Sequence, residues 1–121
     1  MNIKNIAAIA ILTLGAASAP SAFAHAKLIS SDPKAASELE SAPKEIRLLF
    51  NEALEPAFSK MKLLDASNTE IPITKIDVDK ANAQAMVAPL PALRAGDYRV
   101  QWSTMTHDGH KTKGEFSFKV K

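Results

Sequence analysis

The sequence predicts an all-β fold, an antiparallel β-sandwich of immunoglobulin-like size with about seven short strands. Three observations lead to this prediction: several segments alternate apolar and polar residues, Pro, Asn, Asp and Gly separate them, and no long amphipathic helical pattern competes. Alternation with a period of two indicates a strand with one buried face. Short strands separated by turn residues are typical of a sandwich.

Seven segments carry these strand patterns. The clearest places Tyr98, Val100 and Trp102 on one face and polar residues on the other. The strand segments, in chain order, are 26–31, 45–50, 59–64, 71–78, 84–89, 98–103 and 113–120. Pro72 confines its strand to a sheet edge or a bulge, because proline cannot donate a ladder hydrogen bond. Residues 80–85 are also compatible with a helical turn, since their alanines have little strand preference.

The first residues of the chain have the pattern of an export signal. Lys4 precedes an uncharged apolar run over 6–17, which is shorter than the roughly 20 residues that a membrane span needs. The following Ala-Phe-Ala at 22–24 is the small-x-small pattern that signal peptidase cleaves. We therefore predict a secretory signal peptide over residues 1–24, cleaved between Ala24 and His25, and export of the chain from the cytoplasm.

Cleavage would leave one small domain of residues 25–121. Lys4 is the only charged residue removed, so 14 of the 15 Lys and Arg remain against 13 Asp and Glu. These charges are interspersed, and they do not favour a nucleic-acid partner. The chain contains no cysteine. Disulfides, thiolate metal sites and cysteine nucleophiles are therefore excluded.

The histidines are the residues that indicate a metal site. As the mature N-terminus, His25 offers its α-amine and its imidazole Nδ1, which can chelate one metal ion. His107 and His110 flank Asp108 in a loop between the two strongest strand patterns. An amine, two imidazoles and a carboxylate form a tetragonal N,O donor set that favours Cu(II). His110 and Asp108 are thus the expected partners of His25.

The spacing within this loop selects His110 rather than His107. On an extended backbone Asp108 and His110 point to the same side, and Gly109 between them relaxes the chain. His107 then points away, so we expect it to face solvent or to act outside the ligand set. The alternative interpretations are that His25 follows the cleavage point by chance and that Asp-Gly merely forms a solvated turn.

Three segments, HAKLISSDPKAAS, IRLLFNEAL and YRVQWSTMTHDGHKTKGEFSF, resemble the CopC (PcoC) family. The resemblance implies a periplasmic copper-binding β-sandwich or barrel of Greek-key type, linked to copper resistance or uptake and often to the inner-membrane protein CopD. It also implies that His25 supplies the amine and an imidazole, and that Asp108 and His110 supply the carboxylate and third nitrogen. Glu52 matches a further acidic position near the site. It is either a ligand, a residue that orients the amine or His25, or a solvated acid.

The methionines indicate which copper oxidation state to expect. Some members of the family carry a methionine-rich loop that binds Cu(I) through soft thioethers. Here Met61, Met86 and Met105 stand singly, which favours core positions. We therefore predict one Cu(II) per chain and no separate Cu(I) site.

The predicted function is that of a monomeric, non-enzymatic copper carrier or buffer with a CopD-like membrane partner. One alternative is a copper-dependent oxidative enzyme that uses the same histidine brace. Against it, the small domain offers little surface for a polymer, and an aspartate in the equatorial plane would hinder oxygen activation. The other alternative is a metal-free immunoglobulin-like interaction module, which would leave His25 and the Asp-Gly-His loop without a role.

Overall fold

The computed structural model describes residues 26–121, so the predicted signal peptide and His25 lie outside the described residues. The described chain forms nine strands and one short 3-10 helix, Pro56–Phe58. The strands are β1 (Leu28–Asp32), β2 (Ser37–Leu39), β3 (Glu45–Phe50), β4 (Lys60–Leu64), β5 (Glu70–Ile71), β6 (Asp77–Val78), β7 (Ala85–Pro89), β8 (Gly96–Met105) and β9 (Lys111–Val120). Over these residues, no helix has the length and apolar character that crossing a membrane requires.

The strands form two sheets, in the orders β1-β3-β7-β6 and β2-β9-β8-β4-β5. This confirms the predicted all-β sandwich. The structure has nine strands where about seven were predicted, because β2 is an additional strand and the segment 71–78 forms two strands. The pairing is also not purely antiparallel, since β2 runs parallel to β9. Its polar sequence has no strand pattern. It forms by pairing with the edge of β9, and next to it the Ala36 N–H donates to the Ser117 carbonyl at 2.7 Å.

The segment predicted as one strand over 71–78 is two strands in different sheets. Ile71 of β5 pairs with Leu63 of β4, whereas Val78 of β6 pairs with Met86 of β7. The chain therefore crosses from one sheet to the other between them. Pro72 directly follows β5 at the edge of the five-stranded sheet, as predicted. Residues 80–84 form bends and turns rather than a helical turn.

The core lies between the sheets and follows the predicted alternation. Its buried side chains include Ile46, Leu48, Phe50, Leu63, Tyr98, Val100, Phe116, Phe118 and Val120. Met61 and Met86 are buried in it as expected. Met105 is only half-buried and lies outside this core cluster, so the core prediction is wrong for that residue. Its place in β8 puts it on the opposite face from Val100.

Gly114 is required by the packing of Trp102, its cross-strand neighbour. The Trp102 ring meets Phe50 edge to face, with centroids 5.0 Å apart. A Cβ on Gly114 would lie 2.5 Å from Trp102 Cζ2 and 2.8 Å from Cε2. Because the indole also packs against the buried Phe50, moving it to make room would disturb a contact of the core.

We therefore expect Gly114→Ala to lower the free energy of unfolding by about 1–3 kcal/mol, the usual cost of overpacking. Urea denaturation followed by tryptophan fluorescence measures the change. Ser117→Ala, an exposed position in the same strand, is the matched control and should stay within about 0.5 kcal/mol of the unchanged protein. An unaltered or higher midpoint for Gly114→Ala would contradict the packing argument.

Candidate metal centre

The hairpin loop at residues 106–110 closes the paired strands β8 and β9. Its ends are joined by a hydrogen bond from the Thr106 N–H to the His110 carbonyl at 3.0 Å, and the Gly109 N–H donates to the Thr106 carbonyl at 2.9 Å. Gly109 has a φ of +87°, a conformation that glycine adopts without strain. The loop is therefore a turn, and the extended backbone assumed from the sequence is wrong here. The turn itself carries Asp108 and His110 back toward each other.

Asp108 and His110 are in direct contact. The Asp108 Oδ2 and the His110 Nδ1 are 3.1 Å apart, and each side chain is about half exposed. The Thr106 hydroxyl donates a hydrogen bond to Asp108 Oδ1. This hydrogen bond, more than the nearby His110, holds the pKa of Asp108 below its ordinary value, although partial desolvation opposes the shift. The carboxylate is consequently an anion at neutral pH.

Thr106 organises this loop and was not identified from the sequence. It is buried, with 3% of its surface exposed, and its backbone forms an isolated bridge with Leu54. Its backbone thus connects the loop to the segment that follows β3, while its side chain bonds to Asp108 within the loop. The sequence did contain a signal, since a threonine two residues before an aspartate commonly makes such a local side-chain hydrogen bond in a turn.

His107 lies against a different acid. Its Nδ1 is 3.1 Å from Glu55 Oε2, with 62% of the His107 side chain exposed. The Glu55 N–H donates to the Met105 carbonyl at 2.8 Å, which fixes this acid beside the hairpin. Glu55 was not identified from the sequence, because its contact depends on residues 52 positions apart.

The beginning of the described chain is fastened next to the hairpin. The Thr112 hydroxyl donates to the Ala26 carbonyl at 2.9 Å and lies 3.0 Å from the Thr104 hydroxyl. The Lys27 N–H donates to Asn51 Oδ1 at 2.6 Å, and the Asn51 N–H returns a bond to the Lys27 carbonyl at 3.0 Å. Ala26 is buried. The chain just after His25 is thus held at a residue two positions from His110.

Among residues 26–121, the structure brings together two of the predicted site residues, Asp108 and His110. Glu52 is half-buried beside Asn51, and no side-chain hydrogen bond or ion pair of Glu52 is found within this range. No group of three or more His, Asp or Glu side chains suited to a metal ion occurs there. His25, the predicted main ligand, lies outside the described residues.

Comparison with known proteins decides the family. The model of the CopC domain matches residues 28–121. The chain belongs to the CopC domain family. It is 36% identical to Protein YobA of Escherichia coli (strain K12), over 94% of this chain and 92% of that protein. It is 38% identical to Copper resistance protein C of Escherichia coli, over 84% of this chain and 85% of the relative.

Solved structures support the same assignment. The CopC chain superposes on the crystal structure described as PcoC, a methionine-rich copper resistance protein from Escherichia coli, with a TM-score of 0.70 and 38% identity. The match covers 81% of this chain and all of that one. The family resemblance and the β-sandwich fold predicted from the sequence are both confirmed.

This CopC domain is not itself methionine-rich, since the whole sequence holds 4 methionines. Met86 lies in the four-stranded sheet, whereas Met61 and Met105 lie in the five-stranded sheet on opposite faces. Soft Cu(I) sites need several thioethers on one ion. The dispersion of these residues favours the absence of a separate Cu(I) site, which stays a prediction.

Proposed function

We propose that the mature chain is a periplasmic Cu(II) carrier or buffer that binds one ion per chain. The ligands are the α-amine and imidazole of His25, the carboxylate of Asp108 and the imidazole of His110. The observation that carries this proposal is the bond from Thr112 to Ala26 at 2.9 Å. This bond fastens Ala26, the first described residue, next to the strand that follows the hairpin loop of Asp108 and His110.

The chemistry of the donors fits Cu(II) in particular. Imidazole suits copper, and a tetragonal set of nitrogen and oxygen ligands is the arrangement that Cu(II) prefers. The hydrogen bond from Thr106 lowers the pKa of Asp108 and so favours the carboxylate anion, which balances part of the charge of the cation. Glu52 is assigned the role of orienting the N-terminal amine from outside the ligand set.

The biological setting follows from the family. The relative in Escherichia coli is named a copper resistance protein, and the matched structure is also of a copper resistance protein. We infer that residues 1–24 export the chain and are removed before His25, and that the monomeric domain delivers copper to an inner-membrane protein of CopD type. A carrier is favoured over an enzyme because Copper resistance protein C and the matched PcoC structure are named for resistance rather than for a reaction.

Electron paramagnetic resonance of the mature chain titrated with Cu(II) tests the function. We expect one equivalent to bind and to give a nitrogen-rich tetragonal spectrum. An oxygen-only spectrum, a tetrahedral one, or no stoichiometric binding would overturn the proposal. Addition of ascorbate and peroxide to the loaded protein should oxidise a test polysaccharide no faster than free copper does. Faster oxidation would favour the histidine-brace enzyme instead.

A further inference from the structure

The outer face of the five-stranded sheet carries four lysines beside the hairpin loop. Lys60 and Lys62 of β4 and Lys111 and Lys113 of β9 are all exposed, and together we call them the lysine face. Lys60 and Lys113 each pair with Ser103 of β8, so they lie in one row across the sheet. Since neighbouring strands are about 4.8 Å apart, the two are separated by roughly 10 Å at the backbone.

Ion pairing within the fold does not explain this cluster of like charges. Within the part of the chain that the structure describes, none of the four lysine ammonium groups makes an ion pair or a hydrogen bond. The nearby Glu115 is instead held by Arg99 at 3.7 Å and by Gln101 at 3.2 Å. Strand β5 pairs only with Leu63 and Leu64 of β4, and β2 pairs only with residues 118–120 of β9. The four lysines therefore lie on stretches of β4 and β9 that no further described strand covers, where lysine also discourages edge-to-edge pairing.

The shape of the lysine face is that of a docking surface. Two shallow grooves run along it, and both contain Lys60, Ser103 and Lys113. The second groove ends at Phe58, whose side chain is 57% exposed. Aromatic residues such as Phe58 are enriched at protein interfaces, and the lysines would act mainly by electrostatic attraction of an acidic partner.

We propose that the lysine face docks an acidic segment of a partner protein that also carries an apolar side chain for Phe58. A protein segment is favoured over a lipid surface, because stable binding to a bilayer needs a broad apolar face, and Phe58 is a single anchor. Gln101 and Ser103 add hydrogen-bonding groups within the grooves. The charge complementarity would guide the encounter and fix its orientation.

The position of the lysine face connects it with the proposed copper site. Lys111 directly follows His110 in the chain, so a segment docked here lies beside the Asp108–His110 pair. The inference that this contact serves copper transfer rests on the proposed function. The docking itself does not, because none of the lysines belongs to the ligand set.

A short fluorescein-labelled peptide rich in glutamate and containing leucine is the probe, with binding measured by fluorescence anisotropy. Lys60→Glu combined with Lys113→Glu should weaken binding at least about tenfold. The control combines Lys34→Glu with Lys44→Glu, exposed lysines at the opposite end of the sandwich that give the same net charge. It should stay within about twofold, and added salt should weaken binding of the unchanged protein.

Three further results decide between explanations. Equal losses in the two paired variants would show that net charge alone binds the peptide, and this would overturn the proposal. Binding to phosphatidylglycerol vesicles without binding to the peptide would overturn the proposed protein partner and indicate that the lysine face binds a lipid surface. Phe58→Ala should weaken the peptide complex. An unchanged affinity would show that Phe58 does not contact the bound segment, contrary to the proposal. Because His110→Ala should keep its peptide affinity while losing copper, failure of docking and failure of copper binding are distinguishable.

Discussion

Replacement of His110 by alanine should lower the Cu(II) affinity of the mature chain at least about a hundredfold. Residues that only support a metal ligand typically change affinity about 10- to 100-fold, so loss of a ligand should reach or exceed the upper figure. His110 is held in the hairpin by the hydrogen bond of its carbonyl with the Thr106 N–H at 3.0 Å. Removal of its imidazole therefore deletes a donor without removing the backbone contact that shapes the loop.

The same hairpin offers the matched control. His107 is three residues away in the same loop, and its imidazole contacts Glu55 rather than Asp108. His107→Ala should change the affinity by less than about threefold, which corresponds to well under 1.4 kcal/mol. Competition against a Cu(II) chelator of known affinity measures both variants. Equal losses for the two histidines, or a larger loss for His107→Ala, would show that the ligand assignment is wrong.

Asp108→Asn separates the charge of this residue from its size. The amide preserves an oxygen near His110 but removes the anion that the Thr106 hydroxyl stabilises. If the carboxylate binds the ion directly, this variant should lose affinity to an extent comparable with His110→Ala. A loss of only about tenfold would instead indicate that Asp108 orients the imidazole of His110 from outside the ligand set.

The parts of the fold that were predictable are those where one strand pattern determines one buried face. Val100 and Phe116 follow a strict alternation, and both point into the core. The strand β2 could not be found in this way, because its residues Ser37–Leu39 carry no alternation and pair only with the edge of β9. The crossing from one sheet to the other after Ile71 could not be predicted either. Strands of both sheets bury every second residue, so the period of the pattern does not show where the chain changes sheet.

The site could be predicted where the chemistry resides in the residue type and not where it resides in long-range contacts. Asp108 and His110 were identifiable as candidates because the chain has only 3 histidines and two of them flank Asp108. Asn51 and Thr112 were not, although their hydrogen bonds fasten Lys27 and Ala26 beside the loop. Such contacts join residues 24 and 86 positions apart, and no local pattern encodes them.

An alanine added before His25 should weaken Cu(II) binding by more than about tenfold, or roughly 1.4 kcal/mol. The addition turns the α-amine of His25 into an amide, which loses its proton far less readily and is a poorer ligand. The hydrogen bonds of Ala26 and Lys27 involve groups that the addition leaves unchanged. An alanine added after Lys121 is the control of equal mass, and it should leave the affinity unchanged.

Isothermal titration of the two extended chains and the mature chain, with mass spectrometry to confirm each N-terminal residue, gives the comparison. An affinity within about tenfold of the mature protein for the N-terminal addition would show that the amine is not a ligand. A large loss would mean that removal of residues 1–24 completes the copper site, and that the precursor binds copper weakly until it has been exported and cleaved.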